Sequence, residues 1–256
     1  MSDSISRVTR AILDADGQAI AGYVTAGFPD LERFPAILES VASRADVVEI
    51  GVPFSDPMAD GLTIQQASHV ALEAGVTLEW IFQTVSDIEL EAPHVLMGYY
   101  NPFLAFGLER LAERMAEVGT SGLIVPDLPL EESAPLVAHL EERGLGLIQL
   151  VAPTTPPDRL ELLADASRGF VYAVTTKGTT GSAISFDEGV LAYLDRVKKV
   201  SKLPVLAGFG VRERSQLAQL AGHVDGVAVG TALIDTIERG DDPAVFIDSL
   251  RPVEAR

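Results

Sequence analysis

The chain has no cysteine, few basic residues and no long apolar run, and each absence excludes a class of protein. Without cysteine there is no disulfide framework, thiolate zinc site, iron–sulfur cluster or cysteine nucleophile. The 19 Lys and Arg against 37 Asp and Glu give a formal charge of -18, the opposite of the field that binds nucleic acid or an anionic membrane. No run of about 18 apolar residues appears, and the opening residues lack the apolar segment of a secretory signal. We therefore expect a cytoplasmic protein that binds neither nucleic acid nor membrane.

What the chain does have is an alternation of two kinds of segment. Of its 256 residues, 47% are hydrophobic and 22% are charged, the composition of an ordinary globular protein. Short apolar runs rich in Val, Ile and Ala alternate with segments whose apolar residues have helical spacing. Continuous apolar runs are typical of parallel strands that are buried on both faces. Eight runs have this character: 19–24, 47–50, 95–99, 123–125, 147–150, 170–174, 205–207 and 226–229.

Eight strand-then-helix units in about 250 residues are typical of a closed (β/α)8 barrel, the TIM barrel of the α/β class. An amphipathic opening segment predicts an extra N-terminal helix that plugs the bottom of the barrel. Its apolar residues are Ile5, Val8, Ile12 and Leu13. No linker or repeat interrupts the pattern, so residues 1–256 are interpreted as one domain. The alternative, a doubly wound open sheet, is disfavoured because residues 25–30 lack the G-x-G-x-x-G turn.

Glu49 is an acid in the middle of the second apolar run, where strand alternation points it opposite to Val48 and Ile50. Active sites of TIM barrels lie at the C-terminal ends of the strands. An unpaired carboxylate in the barrel mouth has its charged form disfavoured by desolvation, which raises its pKa into the range of a general acid or base. From the strand alone, a structural Glu that is paired with a basic residue is an equal alternative.

A second carboxylate, Asp60, lies in a loop rich in Pro, Gly, Ser and Asp that follows the same strand. We expect this loop, residues 51–61, to carry Asp60 back over the mouth of the barrel. Two carboxylates in different settings, one at a dry strand end and one on a wetter loop, have separate pKa values and separate acid and base roles. The presence of Asp60 therefore favours the functional interpretation of Glu49.

The sequence of residues 49–61, EIGVPFSDPMADG, resembles the signature of the tryptophan synthase alpha chain family. Further stretches resemble the family in the same order over nearly the whole chain. They are 23–27 (YVTAG), 100–102 (YNP), 125–129 (VPDLP), 178–181 (GTTG), 208–210 (GFG) and 229–232 (VGTA). The acidic loop motif is highly specific, whereas GFG alone would be weak.

The resemblance implies a lyase of tryptophan biosynthesis, which cleaves indole-3-glycerol phosphate to indole and glyceraldehyde 3-phosphate in a retro-aldol reaction. It implies that Glu49 handles the protons at indole C3 and at the adjacent hydroxyl, and that Asp60 accepts the indole N–H. It also implies catalytic roles for Tyr172 and Thr180, the latter by ordering Asp60 when the loop 175–181 closes as a lid. Tyr172 has the alternative of being a core aromatic residue. No metal or cofactor is needed.

Four further residues are implied to bind the substrate: Tyr23, Tyr100, Asp127 and Phe209. For Asp127, simply fixing its loop is an alternative. The family's alpha chain works beside a beta chain that carries pyridoxal phosphate, so the resemblance implies an alpha2beta2 complex. The segment 53–57 and the loop 101–103 are the surfaces we expect to contact that partner.

A phosphate site is expected in spite of the negative charge, because the field of distant exposed acids fades over about 8 Å at physiological salt. Backbone N–H groups at glycine turns and helix N-termini bind anions without Lys or Arg, and TIM barrels commonly use the loops after strands 7 and 8. The candidates lie at the ends of the last three apolar runs: Gly181, Gly208, Gly210, Gly230 and Thr231. Each glycine alone is better explained as a strand-to-helix turn, but together they favour phosphate binding.

Two other functions stay open. One is a stand-alone lyase that releases free indole, which would carry the same residues, and the other is a non-catalytic barrel that activates a beta chain. The intact pair Glu49 and Asp60 argues against the second. The chain departs from the usual residues of the family at Phe28, Met58, Leu62, Thr176 and Thr231. The usual residue in place of Leu62 is a proline, whose fixed φ would stiffen the acidic loop.

Overall fold

The computed structural model describes residues 4–175, 186–208 and 210–252. Its strands are all parallel and pair in sequence order, and the last strand pairs with the first, so the sheet closes into a barrel. The strands are β1 (Ala19–Thr25), β2 (Val47–Gly51), β3 (His94–Met97), β4 (Gly122–Ile124), β5 (Gly146–Val151), β6 (Val171–Val174), β7 (205–208) and β8 (Gly226–Val229). The prediction of a (β/α)8 barrel is confirmed, and every predicted run agrees with its strand to within two residues at each end.

Helices follow the strands and form the outer layer. Within the described ranges they are α1 (Ser4–Leu13), α2 (Phe34–Ala42), α3 (Leu62–Glu73), α4 (Leu78–Ser86), α5 (Tyr100–Phe106), α6 (Leu108–Glu117), α7 (Ala134–Glu141), α8 (Pro157–Ala166), α9 (Glu188–Val200), α10 (Arg214–Gln219), α11 (Thr231–Glu238) and α12 (Pro243–Leu250). A short 3-10 turn, Leu130–Glu132, precedes α7. None of these helices has both the length and the apolarity that crossing a bilayer requires.

The core has two shells, because the strands are buried on both faces. Apart from Leu150 and Val174, every strand residue is buried. The helices contribute a single apolar stripe each, as in α6, where Leu111, Ala112 and Met115 are buried among charged neighbours. This burial on both faces is why the strands read as continuous apolar runs in the sequence.

The predicted extra helix, α1, lies against the N-terminal end of the barrel and presents Ile5 to it. A Cβ on any of three glycines at or just before the starts of β4, β5 and β6 would lie 2.8 Å from an Ile5 side-chain atom: Gly122, Gly146 and Gly169. The Thr9 hydroxyl also donates a hydrogen bond to the Gly169 carbonyl at 2.7 Å. The plug is therefore confirmed, and the three glycines make the room that Ile5 occupies.

One residue of this helix differs from the prediction. Ile5, Val8 and Ile12 are buried as expected, but Leu13 is 62% exposed. Leu13 follows Ile12 directly, and consecutive helical residues are turned by about 100° from each other. The assignment of Leu13 to the buried face of α1 was therefore wrong.

Candidate active site

Glu49 and Tyr172 lie on opposite walls of the barrel. Glu49 lies on β2 beside Tyr23 of β1 in the sheet register, and Tyr172 lies on β6, on the opposite wall. The charge of Glu49 nevertheless raises the pKa values of both Tyr23 and Tyr172. Strands on opposite walls interact only through the interior, so the Glu49 side chain points inward, as the strand alternation predicts.

Glu49 is buried without a partner. It is 0% exposed, and neither carboxylate oxygen has a hydrogen bond within the described part of the chain. Desolvation by burial raises the pKa of Glu49 from its usual value of 4.5 to about 8. The expectation of an unpaired carboxylate with a raised pKa is confirmed, and the alternative of a structural ion pair is not found among the described residues. At neutral pH Glu49 carries a proton that it can donate.

Asp60 also acts on the two tyrosines. Burial is the largest cause of the raised pKa values of Tyr23 and Tyr172, and the charge of Asp60 contributes to both. Asp60 is only 8% exposed, and burial raises its pKa to about 6, while a hydrogen bond from Tyr99 acts in the opposite direction. The two carboxylates have different pKa values, as expected. Asp60 was expected to be more exposed to solvent than Glu49, but it is also buried. Near pH 7, Asp60 is ionised and accepts hydrogen bonds while Glu49 donates.

Tyr99 positions Asp60, a role that the sequence did not indicate. The Tyr99 hydroxyl donates to Asp60 Oδ2 at 3.0 Å and accepts the backbone N–H of Ala59 at 2.9 Å. The Tyr99 ring packs on Phe54 with a centroid separation of 5.3 Å. Tyr99 was predicted as the last residue of a strand, but β3 ends at Met97 and Tyr99 follows at the barrel mouth. A tyrosine directly after a strand at the C-terminal edge was the signal that could have pointed to it.

The acidic loop is also held from its other side by α3. Gln65 Nε2 donates to the backbone carbonyl of Asp60 at 2.8 Å, and the Asp60 N–H donates to the Pro57 carbonyl at 3.2 Å. Leu62, which stands where the family usually has a proline, is the exposed first residue of α3. Gln65 and Tyr99 thus restrain this loop from two elements without a proline at position 62.

Two glycines make room for the two tyrosines of the site. A Cβ on Gly51 would overlap the Tyr23 hydroxyl, and a Cβ on Gly208 would overlap the Tyr172 ring. Burial, the largest cause, and the nearby carboxylates raise the pKa of Tyr172 well above its usual value. Both tyrosines are buried in the core near the carboxylates, and a catalytic role of Tyr172 stays a prediction.

The described phosphate candidates lie at the ends of β7 and β8. Gly230 precedes α11, of which Thr231 is the first residue, and a Cβ on Gly230 would touch Tyr23 at 3.5 Å. Gly210 has a φ of 104°, in the left-handed region that favours glycine. The Gly208 carbonyl accepts two hydrogen bonds from Thr175, so this glycine also has a purely structural reason to be there. Three further site candidates lie outside the described residues: Gly181 for the phosphate, Phe209 for the substrate and Thr180 for catalysis.

The structure shows the loop-fixing role for Asp127. Its Oδ1 accepts the backbone N–H of Tyr100 at 2.9 Å, and the Asp127 side chain is exposed. Burial is the largest cause of the raised pKa of Tyr99, followed by the charge of Asp60, and the charge of Asp127 makes a smaller contribution. Tyr100 itself is half-buried and packs against the core at the start of α5. Substrate binding by Tyr100 and Asp127 stays a prediction.

The two segments expected to contact a partner lie side by side. A groove of about 400 Å³ is lined by Pro53, Phe54 and Pro102, among others. Phe103 was expected on this surface as part of a loop, but it belongs to α5 and is 0% exposed. A Cβ on Gly98 would lie 2.8 Å from the Phe103 ring, so this side chain packs inward at the end of β3. The inclusion of Phe103 in the partner surface was therefore wrong.

Comparison with known sequences gives a consistent result. The model of the tryptophan synthase alpha chain family matches residues 10–251. The tryptophan synthase alpha chain of Solidesulfovibrio magneticus is 45% identical over 252 residues, which cover 96% of this chain and 98% of the relative. That of a Roseiflexus species is 43% identical over 254 residues, which cover 95% and 96% of the two chains.

Solved structures are similar over the same length. A chain of Mycobacterium tuberculosis tryptophan synthase has a TM-score of 0.88 and 36% identity, with 99% of this chain and 100% of that chain covered. A mutant tryptophan synthase alpha subunit from Pyrococcus furiosus has a TM-score of 0.83 and 32% identity, with 91% and 98% covered. The matched residues therefore include β2, which carries Glu49, and the loop after it, which carries Asp60.

Proposed function

The chain belongs to the tryptophan synthase alpha chain family, and from this premise we propose that it cleaves indole-3-glycerol phosphate to indole and glyceraldehyde 3-phosphate. The observation that carries the proposal is the pair of interior carboxylates, Glu49 with a pKa of about 8 and Asp60 with a pKa of about 6. A non-catalytic barrel is not favoured, because both carboxylates are present and buried. A stand-alone lyase is not favoured either, because the relatives are alpha chains of tryptophan synthase.

Glu49 supplies the proton transfers of this retro-aldol cleavage. The protonated carboxyl group donates its proton to C3 of the indole ring, which makes the bond between C3 and the glycerol chain breakable. The carboxylate that forms takes the proton of the adjacent hydroxyl as the carbon–carbon bond breaks and the aldehyde forms. Glu49 is therefore protonated again at the end of the reaction. Each such proton transfer contributes a factor of about 10²–10⁴ to the rate.

Asp60 stabilises the ring as positive charge develops on it. Protonation at C3 makes the indole nitrogen electron-poor, and an ionised carboxylate that accepts its N–H is stabilising in a dry site. Tyr99 occupies Asp60 Oδ2, whereas Oδ1 accepts no hydrogen bond among the described residues. The second oxygen is therefore available for the indole N–H, and Tyr172 and Tyr23 line the space around the ring.

The substrate phosphate binds at the ends of the last strands. The first backbone N–H groups of α11 have no partner within the helix and favour an anion, and Thr231 adds a hydroxyl. A Cβ on Gly230 would lie 3.5 Å from the Tyr23 ring. This short distance supports the position, because the start of α11 lies next to Tyr23. Gly210, Gly208 and Gly181 are the further candidates for this phosphate site, Phe209 for contact with the substrate, and Thr180 for ordering Asp60.

The chain acts with a tryptophan synthase beta chain, a pyridoxal-phosphate protein, in an alpha2beta2 complex. The surface that supports this partner is the groove between the acidic loop and α5. The acidic loop, α3 and α5 also carry exposed large apolar side chains, a feature typical of protein contacts. They are Met58, Leu62 and Leu104.

Incubation of the purified chain with indole-3-glycerol phosphate, scored for released indole, tests this function. The assay is run with and without a beta chain. We expect indole to form slowly with the chain alone and much faster on mixing, because a partner that prefers the ordered, closed state shifts the population toward it. No indole under either condition would contradict the proposed reaction, and a rate that does not change on mixing would contradict the partner.

A further inference from the structure

A cavity of about 300 Å³ lies outside the barrel, between β5, α7 and the end of α8. Leu147 and Gln149 of β5 both line it. The next strand residue, Leu150, is the register partner of Tyr172, whose side chain faces the barrel interior. Because alternate strand residues face opposite sides, Leu147 and Gln149 point away from the carboxylates and toward the helices. The sheet therefore separates this cavity from the proposed active site.

Gln149 places an unpartnered amide in the cavity wall. The residue is only 6% exposed, and its backbone N–H donates to the Ser167 hydroxyl at 3.0 Å. Its side-chain amide has no hydrogen bond to any residue that the structure describes. Neither amide atom is among the fully buried side-chain atoms without a partner, so the amide is open to the cavity, where water or a ligand can hydrogen-bond to it. A ligand that enters the cavity can supply the missing hydrogen bond.

Two ion pairs connect the α7 region with the α8 region. Arg159 of α8 donates to Glu131, just before α7 begins, at 2.8 Å. Arg168 donates to Glu141, the last residue of α7, at 3.3 Å, and both of these residues line the cavity. The charged groups at the cavity are thus paired with each other, and the wall between them is mainly apolar. Neither an anion nor a cation finds an unpaired countercharge here.

We propose that this cavity binds a compact, neutral aromatic molecule with one N–H group, which donates to Gln149 Oε1. An apolar protein cavity of roughly 150 Å³ is large enough for benzene, so a volume of about 300 Å³ suits a bicyclic ring. The apolar wall removes the ring from water, and the single amide specifies one polar atom at its edge. This site is independent of the cleavage reaction, because it lies on the other side of the sheet.

The test is an NMR titration of the isotope-labelled chain with indole as the probe and 1-methylindole, which lacks the N–H, as the matched control. We expect saturable shifts of backbone amides in α7 and around Gln149, with a Kd on the order of 0.1–1 mM for so few buried atoms. 1-Methylindole should bind roughly tenfold more weakly, because it leaves the Gln149 carbonyl unpaired. Equal affinity of the two probes, or no saturable shift at these amides, would overturn the proposal and leave a cavity that holds only water.

Two variants locate the binding. Gln149→Leu removes the amide, so indole should fall to the affinity of 1-methylindole while the rate of indole-3-glycerol phosphate cleavage is unchanged. Val137→Trp fills the cavity from α7 and should abolish binding of both probes. Val245→Trp, at an exposed position of α12, is its control and should bind indole like the parent chain. If indole still shifts the amides of α7 with parental affinity in both cavity variants, the site is not this cavity.

Discussion

The Tyr99 hydroxyl donates a hydrogen bond to Asp60 Oδ2 at 3.0 Å and so joins the end of the third strand to the loop after the second. This bond is one of the causes that set the pKa of Asp60, and it lowers that value against the effect of burial. The same hydroxyl accepts the Ala59 N–H, which fixes the backbone next to the carboxylate. Tyr99 therefore controls both the charge and the position of Asp60.

Tyr99→Phe removes the hydroxyl that acts on Asp60 and keeps the ring that packs on Phe54. A hydrogen bond to a charged group is worth about 1.5–3 kcal/mol, so we expect kcat at pH 7 to fall by roughly tenfold or more. The acidic limb of the pH profile should move to higher pH, because the bond that lowers the pKa of Asp60 is lost. Steady-state assays from pH 5 to 9 measure both effects. Tyr193→Phe is the matched control, since the Tyr193 hydroxyl donates to the Val151 carbonyl at 2.9 Å and not to Asp60. An unshifted acidic limb in Tyr99→Phe would count against the role.

Glu49→Gln should abolish cleavage. Gln has nearly the same shape but can neither donate a proton to C3 nor accept one from the hydroxyl. Affinity for a phosphate-bearing ligand should stay within a few fold, because the phosphate is held at the other side of the site. Indole release and calorimetric titration measure the two properties, and unchanged turnover would remove Glu49 from the mechanism.

The pH dependence of kcat/KM should be bell-shaped. Cleavage needs Asp60 ionised, which holds above its pKa of about 6, and Glu49 protonated, which holds below its pKa of about 8. We therefore expect a maximum near pH 7, with activity falling on both sides as free-enzyme groups titrate. A profile that keeps rising through pH 9 would be incompatible with a protonated Glu49 in the reacting state.

Glu49 should also destabilise the folded chain at high pH. Its folded pKa of about 8 lies above its usual value of 4.5, so the folded state binds the proton more tightly than the unfolded state does. The unfolding free energy therefore falls as pH rises from about 4.5 to 8. Glu49→Gln lacks this titration and should be more stable than the parent by a few kcal/mol above pH 8, with a smaller gain at pH 5. Denaturant unfolding of the variant and the parent at pH 5 and above pH 8 measures the difference in unfolding free energy. If this difference is the same at both pH values, Glu49 does not titrate as described.

Salt should not weaken substrate affinity. In the proposed site, backbone N–H groups at α11 bind the phosphate, and the repulsion by the remote acids is screened within about 8 Å at physiological salt. We therefore expect KM not to rise between low and physiological ionic strength. A steep loss of affinity with salt is the signature of a Lys or Arg contact and would argue against capture by backbone amides.

Much of the barrel follows from local patterns. Strands that are buried on both faces leave continuous apolar runs, and all eight were located within two residues. The same logic predicts that Glu49 points inward, because strand alternation is a local property. Leu13 shows the limit of such patterns. It is the last residue of α1 and is exposed, although its neighbour Ile12 is buried.

Side-chain partners across the chain were harder to predict. Phe103 was placed on the partner surface as part of a loop at 101–103, whereas packing against Gly98 buries it in α5. For Asp127 the sequence offered substrate contact or loop fixing, and the bond to the Tyr100 N–H shows the second. No local pattern distinguishes these alternatives.

The amino-acid sequence alone determined the parallel barrel, its N-terminal plug and the pair of acids at one end, because each depends on the periodicity of neighbouring residues. Only the tertiary structure decided that Tyr99 holds Asp60 and that the Gln149 amide faces a cavity without a partner. These contacts join residues that are far apart in the chain, and they form only when the sheet closes and the helices pack on it. Hydrogen bonds and desolvation at that stage set the pKa values on which the chemistry depends.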